Sequence, residues 1–215
     1  LIGNTIKIEE GKFYLTPVRN YTQVVLSGAI VYSEEIAKKI AKEVDGLVDY
    51  IFVDAEKKIS DNNSITGEPG NIERAVKEVI KKSALISYKS NDLTVDAADA
   101  FISEYYSKDL VGIGGRKIAI IGAGNIGSKL AQKLVERGSN VYLYRRNRDK
   151  LNLIVRQINT TKSKYTVAQA SSALSVNEAC KDADILIGAT DGIPVIDASI
   201  INNLPIDSLL IDIGK

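Results

Sequence analysis

The chain has 215 residues, with 28 Lys and Arg against 27 Asp and Glu, one Cys, and no His, Met or Trp. A formal charge of +1 gives no electrostatic basis for binding nucleic acid or a membrane surface, and no apolar run approaches the roughly 18 residues of a membrane span. Without His, proton transfer must use Lys, Asp, Glu, Tyr or water, and a single cysteine, Cys180, excludes an internal disulfide and suits a reducing, cytoplasmic setting. The length accommodates two modest domains with real cores. The missing Met, at position 1 included, reads as the mark of a fragment or a partly ordered chain.

In chain order, residues 6–9 and 13–16 predict a short hairpin around Glu10, Gly11 and Lys12. A strand follows at 24–31. Ile36, Ala37, Ile40, Ala41 and Val44 recur at helical spacing and predict a helix over 34–44. A short strand is expected at 50–53, then a polar loop over 60–70 built from Asp, Asn, Ser, Gly and Pro. Ile72, Ala75, Val76, Val79 and Ile80 mark a helix over 71–82, and 84–88 reads as a third strand. A further helix over 93–106 runs into Gly112, Gly114 and Gly115, read as the hinge between two domains, 1–108 and 109–215. In the second domain strands are expected at 118–121, 140–144, 164–167, 185–189 and 209–213, and the domain reads as incomplete at its C-terminal end. Strands alternating with helices imply parallel sheets with helical crossovers. The expected fold class is α/β, a Rossmann-type parallel sheet preceded by a smaller α/β domain.

The most informative stretch runs from Ile118 to Gly127. An apolar run breaks at Gly122, Gly124 and Gly127, and Leu130, Ala131, Leu134 and Val135 then share a helix face. Gly122 permits a tight turn, Gly124 lets backbone approach a pyrophosphate, and Gly127 lets helix and strand pack closely. The helix start, with Asn125 and Ile126, presents unpaired N–H groups and the positive end of the helix dipole. These residues predict a dinucleotide site. About 20 residues further on, a unit that binds NAD usually carries an acid for the ribose hydroxyls. Here the strand exits through Tyr144, Arg145, Arg146, Asn147 and Arg148, with no acid before Asp149. Guanidinium groups make charge-assisted bonds to a 2′-phosphate that a carboxylate would repel, so the expected cofactor is NADP. A solvated basic turn ahead of the next helix explains the same arginines. At the fourth strand's exit, Ala189, Thr190, Asp191 and Gly192 are small enough to let a nicotinamide ribose lie against backbone; a turn that merely needs Gly and Pro explains them equally.

The second domain resembles the NADP-binding domain shared by shikimate/quinate dehydrogenases and glutamyl-tRNA reductases. The likeness rests on Ile120-Ile-Gly-Ala-Gly-Asn-Ile-Gly127, Tyr144-Arg145-Arg146-Asn147, Ala183-Asp-Ile-Leu-Ile-Gly-Ala-Thr190 and Leu209-Leu-Ile-Asp-Ile213. It implies that Arg146 clasps the adenosine 2′-phosphate, with Arg145 in place of the family's Asn. The domain order also looks like that of methylene-tetrahydrofolate dehydrogenase. The first domain departs from these patterns: nothing near residues 1–30 matches the serine pair that takes the substrate carboxylate in shikimate dehydrogenases. Glutamyl-tRNA reductases need a nucleophilic cysteine ahead of the NADP domain, whereas Cys180 lies inside it, which speaks against thioester chemistry.

In shikimate dehydrogenases a Lys and an Asp flank the substrate, the Asp at the start of the connecting helix. By that likeness Lys89 and Asp96 are the candidate catalytic groups, since a carbonyl being reduced needs a proton donor beside the developing alkoxide. Asp92 and Asp96 equally suit a helix N-terminus, Ser90 or Asn91 its cap, and Lys89 a solvated surface. Lys57 and Lys58 are further candidates. The expected function is that of an NADP-dependent oxidoreductase, passing hydride between the nicotinamide and a small carbonyl/alcohol or imine/amine substrate held between the domains. A methylene-tetrahydrofolate-like or tetrahydromethanopterin-like dehydrogenase, and a non-catalytic NADP(H)-responsive binding protein, are the alternatives. The expected partner is a small-molecule substrate, with no nucleic acid, membrane or metal, and a homo-oligomer is left open.

Overall fold

The computed structural model describes residues 1–5, 13–59, 70–190 and 195–214. They form two compact units, Leu1–Ser90 and Asn91–Lys215. The first unit runs β1 (Ile2–Asn4), β2 (Phe13–Asn20), β3 (Val25–Val31), α1 (Glu34–Val44), β4 (Tyr50–Asp54), α2 (Ile72–Lys77) and β5 (Ala84–Tyr88). Its strands are ordered β2-β3-β1-β4-β5, parallel throughout except for β2, which lies antiparallel on β3. Ala37 and Ala41 of α1 and Ile72 and Val76 of α2 bury against Ile2, Ala29, Val31, Ile51 and Val53 of the sheet. Helix α1 forms where its spacing predicts. Ser33 caps it by accepting from the Ile36 N–H at 3.2 Å, and Glu34 and Glu35 sit at the positive end of its dipole.

The hairpin expected around Glu10, Gly11 and Lys12 lies outside the described residues, since 6–12 are among those not described. A different hairpin is present: β2 pairs with β3, Phe13 opposite Val31, around a turn closed by the Tyr21 N–H donating to the Val24 carbonyl at 2.8 Å. One expectation for this unit is corrected. Helix α2 stops at Lys77, short of 82: the amides of Glu78, Val79 and Ile80 close a last irregular turn on the Arg74 and Val76 carbonyls, and those beyond Ile80 turn to another acceptor. The Asp45 carboxylate accepts from the N–H groups of Lys81, Lys82 and Ser83 at 2.9–3.0 Å. Those bonds, the one from Ser83 foremost, hold the Asp45 carboxyl below its usual range.

The second unit contains α3 (Ser90–Tyr105, from Asn91 on), β6 (Lys117–Ile121), α4 (Asn125–Glu136), β7 (Asn140–Tyr144), α5 (Arg148–Thr161), β8 (Ala170–Ser172), α6 (Val176–Cys180), β9 (Ile185–Gly188), α7 (Ala198–Ile201) and β10 (Leu209–Asp212). Its sheet is all parallel, ordered β10-β9-β6-β7-β8. The α/β fold class is therefore as expected. Strand order reverses between β6 and β9, so the carboxyl ends of those two strands bound the crevice where such sheets take ligands. The division between units falls ahead of the expected 108/109 boundary. Val95, Ala98 and Ile102 of α3 are buried with Leu130, Leu134 and Ile113 in the second core. Gly112–Gly115 is then no hinge but a packed turn inside this unit. Gly115 donates its N–H to Gly138 at 2.9 Å, the Ser139 hydroxyl donates to the Ile113 carbonyl at 2.6 Å, and Gly112 and Gly115 hold φ of +60° and +75°. The strand expected at 164–167 is a loop, with Tyr165 and Val167 exposed. Its carbonyls are drawn to a cation, Lys162 Nζ donating to Thr166 and Ala168 at 2.7 and 2.6 Å, and pairing begins only at Ala170.

Candidate functional site

The three glycines that open α4 occupy three different environments. Gly122 has φ +110°, and a methyl group there would lie 2.4 Å from the Ala189 carbonyl oxygen. A methyl on Gly127 would lie 2.0 Å from the Gly122 carbonyl oxygen. Above Gly124 no atom of the described residues lies within 4 Å of where a methyl would sit. The loop is thus packed on both sides and open at its middle, the shape a backbone needs to approach a pyrophosphate. Gly124 is also the N-cap of α4 and supplies no side-chain cap, so the first N–H groups of the helix face outward without a protein oxygen from that position. The exposed Asn125 sits at this end. The Ile126 side chain packs on the core, which leaves its backbone N–H as its contribution.

At the exit of β7 the two arginines divide. Arg145 Nη1 donates to the Ala123 carbonyl at 2.6 Å, tying the β7 exit to the glycine loop. Arg146 is exposed. Asn147 caps α5, its Oδ1 accepting from the Lys150 N–H at 2.9 Å. On the other side of the crevice Ala189 donates to the Ile121 carbonyl at 2.8 Å, and Thr190 follows it. Asp191 and Gly192 lie outside the described residues. Sequence reasoning passed over Asp212 and Gly214. Asp212 Oδ1 accepts from the Gly214 N–H at 2.9 Å, and a methyl on Gly214 would lie 2.7 Å from the Thr190 carbonyl, so the β10 exit abuts the β9 exit. The available signal was an Asp and a Gly two positions apart at the end of an apolar strand.

The catalytic candidates fall in separate units. Asp96 of α3 is exposed and paired with Lys133 of α4 at 2.8 Å, one rung of a ladder. In that ladder Asp92 meets Lys129, and Asp99 meets Arg137 through two bonds of 2.7 and 2.8 Å. Lys89, also exposed, contributes with Lys77 and Ser87 to holding the Glu73 carboxyl below its ordinary value; the Lys77 hydrogen bond is the largest cause.

A denser polar cluster lies in the first unit, at the carboxyl ends of β1, β4 and β5. Lys58, named above as a lesser candidate, sets its ammonium 3.2 Å from Asp54 Oδ2, 3.0 Å from Glu56 Oε2 and 2.5 Å from Ser90 Oγ. Asp54 is 2% exposed, whereas the Lys58 side chain keeps a quarter of its surface in solvent. Asn4, 6% exposed, donates from Nδ2 to the Glu56 carbonyl at 2.6 Å. Burial, and then the charges of Asp54 and Glu56, push the Tyr88 phenol well above its ordinary pKa, so it stays protonated.

Residues 117–214 match the model of a family described as NADP oxidoreductase, coenzyme F420-dependent. No curated protein matches the chain. Among solved structures, the chain is similar to L-tryptophan dehydrogenase from Nostoc punctiforme, with a TM-score of 0.51 and 15% identity over 88% of this chain and 51% of that one. It is also similar to a dipicolinate synthase polypeptide from Bacillus halodurans, with a TM-score of 0.47 and 16% identity over 87% of this chain and 56% of that one. The chain thus spans about half the length of the solved structures it matches. At such identities the likeness is one of fold. Sheet order and glycine loop together make the second unit a Rossmann-type α/β domain, and the matched residues 117–214 lie within it. Among the described residues, no helix is long and apolar enough to cross a membrane.

Proposed function

We propose that the chain is an NADP-dependent oxidoreductase acting on a small carbonyl/alcohol or imine/amine substrate. The observation that carries this reading is the loop at Gly122–Gly127, closed on both flanks and open over Gly124 at an N-terminus with no side-chain cap. The backbone N–H groups of Asn125, Ile126 and Gly127 would hold the pyrophosphate, and Ala189 and Thr190 would border the nicotinamide. Arg146, exposed at the β7 exit, would take the 2′-phosphate, while Arg145 holds the loop in shape through Ala123. Bound there, NADP supplies the hydride acceptor or donor. The family description names coenzyme F420 as well, but the matched residues cover only the dinucleotide unit and so bear on the NADP half.

For the substrate's polar groups we look to the first unit. The Lys58 cluster is favoured over Lys89 and Asp96, because it is half-buried and because the exposed Asp96 is engaged with Lys133. Positioned acid–base groups contribute about 10²–10⁴-fold to rate, so Lys58→Met lowers turnover by about 10²-fold or more while sparing NADPH binding. A comparable loss in Lys89→Ala or Asp96→Asn instead returns the role to that pair.

The cofactor assignment is tested by titrating NADPH and NADH against wild type and Arg146→Ala, following nicotinamide fluorescence. One charge-assisted phosphate contact is worth about 1.5–3 kcal/mol, so NADPH binds roughly ten- to a hundredfold tighter and the variant loses that preference. Equal binding of NADH overturns the choice of cofactor. Tight NADPH binding with no turnover on any carbonyl, alcohol, imine or amine favours a non-catalytic NADP(H)-responsive protein.

A further inference from the structure

We propose that the carboxyl ends of β1, β4 and β5 form the substrate pocket of this chain, and that it takes a hydrogen-bond donor, a hydroxyl or an ammonium, and turns away a carboxylate. This deepens the oxidoreductase reading and rests on it for the pocket's role. The argument starts from one buried atom. Asn4 is more than nine-tenths buried, its Nδ2 is used on the Glu56 carbonyl, and its Oδ1 has no hydrogen-bond partner among the described residues. The Glu56 carbonyl fixes which end of the amide is the nitrogen, since an amide oxygen turned toward it would be repelled. A buried acceptor without a partner is destabilising, and a donor arriving from a ligand would relieve that cost.

The groups around it share that polarity. Among the described residues Lys58 is the one cation of the cluster, and its three ammonium hydrogens match three acceptors: Asp54 Oδ2, Glu56 Oε2 and Ser90 Oγ. Asp54 Oδ1 in turn accepts the Glu56 N–H at 3.0 Å, which fixes the loop that carries both carboxylates. Asn4 Oδ1 and the carboxylates of Asp54 and Glu56 are all acceptors, and the Lys58 ammonium is already engaged, so an arriving carboxylate would face oxygens that repel it. An alcohol or ammonium would meet Asn4 Oδ1 and an attractive field. Lys58, a quarter exposed, marks the side from which solvent reaches the cluster.

The test uses three probes on the ¹⁵N-labelled chain without cofactor: glycerol (hydroxyls only), 2-amino-1,3-propanediol (ammonium and hydroxyls) and lactate (carboxylate). Glycerol or the amino diol is expected to move the amide signals of Asn4, Glu56, Lys58 and Ser90, with affinity at least about tenfold above lactate. An amino diol bound more tightly than glycerol assigns the ammonium; equal binding assigns the hydroxyl. Asn4→Leu removes the acceptor and abolishes both. Glu56→Gln keeps the side chain's size and weakens the amino diol about tenfold while sparing glycerol, and it carries the test if Asn4→Leu does not fold. Equal or tighter binding of lactate overturns the proposal, as does no binding of either donor, or binding unchanged in the variants. NADPH titration reads the second unit separately, so failure of the cofactor reading is distinguishable from failure of this one.

Discussion

Gly122 and Gly124 stand two positions apart in one loop, yet their substitution should read out differently. At Gly122 a methyl meets both a positive φ and the Ala189 carbonyl, neither of which can yield without moving the β6–β9 pairing. Gly122→Ala should cost more than about 2 kcal/mol of stability in urea unfolding. Gly124 has φ −84° and open space, so Gly124→Ala should unfold within about 0.5 kcal/mol of wild type. Its methyl instead occupies the approach of the pyrophosphate, and NADPH affinity should fall at least about tenfold. Cys180 is buried beside Ala179 and Ala183, and burial pushes its thiol up to about 11. The folded state then holds a proton that the unfolded chain releases near its ordinary value of 9.0. Its contribution is present below pH 9 and lost as pH rises through 11. Thermal melts of wild type and Cys180→Ala at pH 8 and pH 11 should differ by about 1–2 kcal/mol in that direction.

Between helices α3 and α4, the Asp-to-cation ladder looks uniform in sequence, Asp92, Asp96 and Asp99 facing Lys129, Lys133 and Arg137, but burial grades its rungs. The Asp96 side chain is 60% exposed and its pair with Lys133 is screened, so Asp96→Ala should cost under about 1 kcal/mol. Asp99 is 5% exposed and holds the Arg137 guanidinium with two bonds. Asp99→Ala should cost about 1.5–3 kcal/mol, discounted from a fully buried pair because the Arg137 side chain is 46% exposed. Urea unfolding of both variants checks the ordering. The shortened α2 teaches the same lesson about elements. Its apolar stripe runs on through Val79 and Ile80, both packed on the first core. The stripe was legible, but the chain leaves the helical path after Ile80 because Asp45, over thirty residues earlier, captures the amides of Lys81, Lys82 and Ser83.

For the molecule as a whole, the useful boundary is the one the cores draw. Both clusters of the second unit lie within residues 91–215, and α3 supplies Val95, Ala98, Ile102 and Tyr106 to the larger of them or at its end. A fragment of residues 91–215 should fold cooperatively and bind NADPH as the whole chain does. One beginning at 109, where the glycines invite a cut, strips α3 from Leu130 and Leu134 and should melt at least about 10 °C lower, the result of removing several buried side chains at once. Circular dichroism melts of the two fragments decide between the boundaries.

The β6–α4–β7 unit, its glycines, the arginine pair and helix α1 are legible in the residues by themselves. Each of these is specified by neighbours: an apolar run, a backbone conformation only glycine accepts, a hydroxyl three residues from the N–H it caps. Tertiary structure alone decided that Arg145 turns back on Ala123, that residues 112–115 pack instead of hinge, and that Asn4, Asp54, Lys58, Tyr88 and Ser90 converge. Those five come from three segments far apart in the chain, around residues 4, 54–58 and 88–90, and no periodicity links the three. They meet because parallel strands deliver their carboxyl ends to one edge of a sheet, and a buried polar atom must find its partners across that edge, wherever the chain has brought them.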